Sequence, residues 1–126
     1  MQLTSPAFAN DQSIPAKYTC TGQNVSPPLQ WKGVPANAKT LELTVDDPDA
    51  PAGHFTHWQV SQIPPATTSI PEGGHVGVEG TNGFGNQGYG GPCPPSGEHR
   101  YEFTLTARDA AGGEIGHTHL TGKYRK

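Results

Sequence analysis

No apolar run in the 126-residue sequence approaches the ~20 residues that a membrane-spanning helix needs. Positive charge is scarce too: 8 Lys and Arg stand against 11 Asp and Glu, for a net charge of −3. That balance lacks the electrostatic footprint of a binder of nucleic acid or anionic membranes. The one basic cluster, Lys123, Arg125 and Lys126, fits a solvated tail. Helical signal is missing as well, since no window free of Gly and Pro sustains a helical period. The opening MQLTSPAFANDQS has neither the charged nor the apolar segment of a secretory leader, so a cytoplasmic protein is expected. The only two cysteines, Cys20 and Cys93, form no metal-type C-x-x-C pair. Reduced thiols are therefore expected. A disulfide is the alternative, because removal of a leader would leave the same sequence.

Glycine and proline, by contrast, are abundant at 17 and 13 residues, and strand-like runs recur between their clusters. The chain reads as one domain, residues 1–126, all-β and loop-rich with little or no helix. Residues 2–4 suit a short edge strand, and residues 14–19 a second extended piece that Pro15 confines to an edge. Leu29 and Trp31 share a parity that enters the core. Residues 40–45 and 55–63 read as a central pair of strands, and residues 64–71 as loop. Residues 73–91 hold nine glycines in nineteen positions with no recognisable element. This is not a phosphate-cradling P-loop, which needs G-x-x-x-x-G-K-[ST] and a following helix. It is either an irregular surface loop or a permissive backbone that closely approaches a ligand. HRYEFTLTA, residues 99–107, is the clearest strand, and HTHLTGKY, residues 117–124, the last.

Chemistry concentrates where strands end. Leu41, Leu43 and Val45 alternate with polar residues, and the same parity runs on to Asp47 and Asp49 while the chain stays extended. Pro48 and Pro51 stop a central strand, so the acidic cluster belongs at a strand end. His57 lies near the start of the following strand. His99 shares the inward parity of Tyr101, Phe103, Leu105 and Ala107, and looks inward at the beginning of its strand as Asp47 does at the end of another. In antiparallel neighbours those two ends meet. The reading is either a polar pocket or, more plainly, a capped Asp-Pro turn beside a structural histidine.

The segments DDPDAP (46–51), HW (57–58), GYGGPCPP (88–95) and HRYEFTL (99–105), with YTCTGQNVSPPLQWKGVP (18–35), closely resemble the phosphatidylethanolamine-binding protein family, in its bacterial and archaeal Raf-kinase-inhibitor-like branch. The resemblance covers nearly the whole chain, in order. It implies a sandwich of two antiparallel sheets with a small anion pocket at one end. Matched motif by motif, the pocket residues would be Asp47, Asp49, Pro51, His57, Tyr89, Gly91, Pro94 and His99. Backbone N–H groups of Gly90 and Gly91 would join imidazoles as donors to a phosphate-like group, including a phosphorylethanolamine headgroup. One departure is clear: the partly helical segment that longer members carry before the last strand is reduced here to residues 109–115. A shallower pocket and a surface open to a protein partner or a second copy are expected from that loss.

Three functions fit these residues. The first is a module that binds a small anionic or phosphorylated ligand, without cofactor or metal. The second is a hydrolase-like enzyme using Asp47, Asp49, His57 and His99 as acid and base. The third is a protein–protein inhibitor of a kinase or protease. No nucleophile-elbow motif supports the second, and no docking stripe supports the third. His54 with His57, and His117 with His119, have zinc-like spacings that a chain with 6 histidines yields by chance.

Overall fold

The computed structural model describes all residues, 1–126. Nine strands follow in order: β1 (Gln2–Thr4), β2 (Gln12–Ser13), β3 (Leu29–Lys32), β4 (Thr40–Asp47), β5 (Phe55–Ile63), β6 (Ser69–Ile70), β7 (Val78–Glu79), β8 (Glu98–Arg108) and β9 (Glu114–Arg125). They form a three-stranded sheet, β1-β3-β6, and a six-stranded sheet, β2-β9-β8-β4-β5-β7. The only helical element is a 3-10 turn, Ala16–Tyr18. No helix is long and apolar enough to cross a membrane.

The alternation read from the sequence is what closes the sandwich. Leu41, Leu43 and Val45 of β4, with Tyr101, Phe103, Leu105 and Ala107 of β8, point inward from the large sheet. Leu3, Leu29, Trp31 and Ile70 meet them from the small one, in a single buried cluster. Burying such side chains contributes roughly 1.5–3 kcal/mol each before entropy is counted. Their outward neighbours, Glu42, Thr44, Glu102 and Thr104, are half-buried.

The two sheets are antiparallel, with one short parallel pairing at the edge, where β2 runs beside β9. Three local expectations need correction. Residues 14–19 are not a strand. Ile14 still donates its N–H to Lys123, but Pro15 has no N–H to continue the ladder and its fixed φ starts the 3-10 turn instead. The 64–71 loop contains β6, which Ile70 anchors in the core through its pairing with β3. The glycine-rich stretch is also more ordered than its composition suggests: β7 pairs with β5, and Thr81 bridges to Gln87.

β8 and β9 pair along almost their whole length around a tight turn. Asp109 Oδ1 accepts the N–H groups of Ala111 and Gly113, and Gly112 takes the left-handed φ of +84° that the turn requires. Residues 109–113 therefore join the two long strands directly.

Candidate functional site

A cavity of about 190 Å³ opens where the end of β4 and the beginnings of β5 and β8 come together, with the glycine-rich loop closing one side. Asp47, His57, His99 and Tyr101 line it with polar groups, and Ala50, Pro51, Phe55, Phe84, Pro94 and Pro95 line it with apolar ones. A larger hollow of about 560 Å³ on the outer face of the small sheet, around Gln30, Lys32 and Thr68, gathers mainly exposed amides and hydroxyls.

Asp47 does two jobs, one in the turn and one beside the cavity. Its Oδ1 accepts the N–H of Asp49 at 2.8 Å, capping the turn, while its Oδ2 accepts His99 Nδ1–H at 2.6 Å inside the pocket. Both residues are buried. A carboxylate only accepts, so this bond places the proton on Nδ1 and leaves His99 Nε2 uncommitted.

His57 reaches the pocket through an irregularity. β5 pairs Trp58 with Val45 but Thr56 with Asp46, which leaves His57 as the extra residue of a β-bulge. A bulge breaks strict alternation and re-aims a side chain. His57 and Trp58 are adjacent and both buried as a result. His57 Nδ1–H donates to the Gly90 carbonyl at 2.6 Å, so its Nε2 is again the uncommitted nitrogen. Burial is the largest influence on this ring and pushes its pKa below the ordinary histidine value, against opposing pulls from the Gly90 carbonyl and the Asp47 charge.

Tyr101 lies between the two imidazoles, edge-on to His57 at 5.1 Å and stacked near His99 at 6.4 Å between ring centroids. Its hydroxyl is the one buried side-chain polar atom with no hydrogen-bond partner. Burial first, and then the charges of Asp47 and Asp49, raise its pKa, so the hydroxyl keeps its proton as a donor.

Of the expected residues, Asp47, Pro51, His57, Pro94 and His99 line the cavity, while Asp49, Tyr89 and Gly91 stand outside it. Pro48 breaks the parity that would have turned Asp49 inward. Asp49 faces Arg100 instead, accepting its N–H at 2.9 Å, Nε at 3.0 Å and Nη2 at 2.8 Å. The Arg100 guanidinium holds this carboxyl down to about 2. Asp49 thus pins the acidic turn to the start of β8. The Gly90 and Gly91 N–H groups are spoken for, by the His57 carbonyl and by Asn24 Oδ1 at 2.8 Å. Tyr89 is a brace, its hydroxyl donating to the Tyr18 carbonyl at 2.6 Å.

Those last contacts stitch the wall of the pocket to residues 16–24, and they explain a further correction. Cys20 and Cys93 are not free thiols but a disulfide across 73 positions of sequence, with Cα atoms 5.4 Å apart. Cys20 N–H also donates to the Pro92 carbonyl beside it. A Cβ on Gly91 would strike the Tyr18 carbonyl and Asn24, so the two loops approach this closely only because residue 91 is glycine. Meanwhile His117 and His119 sit exposed on β9, engaged with Glu114 and Thr104. Only His57 of the His54/His57 pair lines the cavity.

The family model for phosphatidylethanolamine-binding proteins matches residues 4–124. The chain belongs to this family. A UPF0098 protein of Methanothermobacter thermautotrophicus is 43% identical over 150 aligned positions, covering 100% of this chain and 99% of the relative. That alignment is longer than the chain, so the relative carries residues with no counterpart here. The crystal structure of a phosphatidylethanolamine-binding protein homologue from Chlamydia trachomatis superposes with a TM-score of 0.95 at 38% identity, covering 99% of this chain and 97% of that one. Escherichia coli YbcL, described as a new member of the mammalian family, gives a TM-score of 0.91 at 30% identity over 99% of this chain and 98% of its own. The fold is therefore that of a family consistent with small-ligand binding.

Reasoning from sequence missed Tyr101, Phe55 and Phe84 as pocket residues. Tyr101 was legible only as core, because it sits on the apolar parity of β8. Its hydroxyl, next in parity to His99, was the available signal, since a buried tyrosine normally finds a partner.

Proposed function

We propose that this member of the phosphatidylethanolamine-binding protein family binds a small phosphate-like anion between His57 Nε2, His99 Nε2 and the Tyr101 hydroxyl. The observation that carries the reading is the pair of imidazoles lining the cavity, each with its Nδ1 tethered and its Nε2 free, while the Tyr101 hydroxyl buried beside them is a donor with no protein partner, which costs about 1–3 kcal/mol. Asp47 does not oppose an anion directly, because it stands behind His99 and would offset the charge of a protonated imidazole. Binding an anion would favour the imidazolium form of His57, which burial disfavours in the free protein, so binding should be coupled to proton uptake by this ring.

Tyr101→Phe tests this reading. The apo protein should be at least as stable as the parent, by up to roughly 1 kcal/mol, while phosphate affinity measured by calorimetry should fall about tenfold. A variant that loses stability and binds phosphate normally would mean that the hydroxyl has a purely structural role.

The Asp47–His99 pair also has the form of an oriented general base, which keeps a hydrolytic reading in view. With Cys93 oxidised, however, the cavity offers no thiol nucleophile. The clasp further supports an oxidising setting over the reducing cytoplasm expected from the sequence.

A further inference from the structure

Phe84 is half-exposed, at 47%, yet its position is closely determined. It sits at the tip of a turn built on Asn82, which is buried. Asn82 Oδ1 accepts the N–H groups of Phe84 and Asn86, and Asn82 Nδ2 donates to the Gly88 carbonyl at 2.9 Å. Gly83 N–H fastens the same turn to the Thr56 carbonyl of β5. Two glycines then give the rings room: a Cβ on Gly83 would collide with Phe55, and one on Gly90 with Phe84. The Phe84 ring meets Phe55 at 4.8 Å and His57 at 5.6 Å between centroids, both edge-on.

A buried polar network that holds an aromatic ring half in water does little for the core. It makes sense if the exposed face of the ring is kept for something else. The cavity has the matching division: His57, His99 and Tyr101 form a polar set, while Ala50, Pro51, Phe55, Phe84, Pro94 and Pro95 form an apolar one. Its volume of about 190 Å³ is room for roughly six waters, more than a bare tetrahedral anion fills.

We propose that Phe84 is a specificity-determining residue, and that the ligand is a phosphomonoester whose substituent is apolar or aromatic and packs on Phe84 and Phe55. This rests on the anion reading above and names the class of anion. The rival for the same rings is an ammonium group held by cation–π attraction, so the experiment must separate the two.

The test is calorimetric titration of the parent, Phe84→Ala and Phe84→Leu with inorganic phosphate, phenyl phosphate and phosphorylethanolamine. In the parent, phenyl phosphate should bind about tenfold more tightly than inorganic phosphate, with phosphorylethanolamine showing little of that gain. Phe84→Ala should abolish the gain, so that phenyl phosphate binds it no more tightly than inorganic phosphate does, and Phe84→Leu should keep much of the gain. Equal affinity of the parent for phenyl phosphate and inorganic phosphate overturns the proposal and leaves the anion reading standing. Preference for phosphorylethanolamine also overturns it, in favour of a cation-reading rim. Failure of all three probes to bind the parent removes the anion reading itself.

Discussion

Replacing Cys20 and Cys93 together with serine is expected to lower the free energy of unfolding by about 4 kcal/mol. In the chain-entropy account, a cross-link restricts the unfolded ensemble more the longer the loop it closes, and this one spans 73 residues. Residues 14–28 contain no strand, only a short 3-10 turn, and their ties to the pocket wall are single hydrogen bonds from Tyr89, Gly91 and Cys20. For a chain of this size the loss corresponds to a fall in Tm on the order of 10–20 °C. Urea denaturation of the double variant against the oxidised parent measures it. A difference under about 1 kcal/mol would mean that the loops hold their places without the bond. Because Cys93 lines the cavity, the same variant should also bind phosphate less well, as the wall it belongs to loosens.

Asp47→Ala should cost about 3 kcal/mol and abolish detectable phosphate binding. The carboxylate is buried and serves two donors, so its removal orphans the Asp49 N–H and the His99 Nδ1–H at once. Breaking a buried charge-assisted contact from one side costs more than the contact contributes, because the remaining group stays desolvated. With Nδ1 released, the His99 ring also loses the bond that fixes its tautomer and its orientation. Asp47→Asn separates the two effects. Its amide can still accept from Asp49 N–H, so much of the stability should return, but it cannot offset an imidazolium charge, so binding should stay weak. Full binding by the asparagine variant would show that the carboxylate only holds the turn.

Much of the fold was legible because alternation is a direct consequence of the pleat. The inward sets of β4 and β8, and the inward aim of Asp47 and His99, followed from parity alone and then from the antiparallel pairing of those strands. Where the pleat is interrupted, legibility ended. The bulge at His57 depends on how β4 and β5 slip past each other, which no single strand reveals. Pro48 marked the end of β4, yet nothing local said that Asp49 would turn toward Arg100 across 51 positions of sequence. The disulfide was hidden for the same reason. Its two cysteines meet where the contacts of Tyr89, Gly91 and Asn24 also join their loops. Phe84 was obscured by its company of glycines, which read as looseness but instead make space for rings.

The histidine ring signals in NMR, followed against pH with and without phosphate, report most directly on whether the cavity holds an anion. In the free protein His57 should titrate below the ordinary histidine value of 6.5, because burial disfavours its charged form. Its folded pKa is depressed, so the stability this ring contributes is present above the unfolded value and is lost as pH falls through the folded one. Added phosphate should shift the His57 and His99 signals together and saturably, and should move the His57 titration upward, since an anion at Nε2 favours the imidazolium. If both rings titrate identically with and without phosphate, the cavity does not hold the anion.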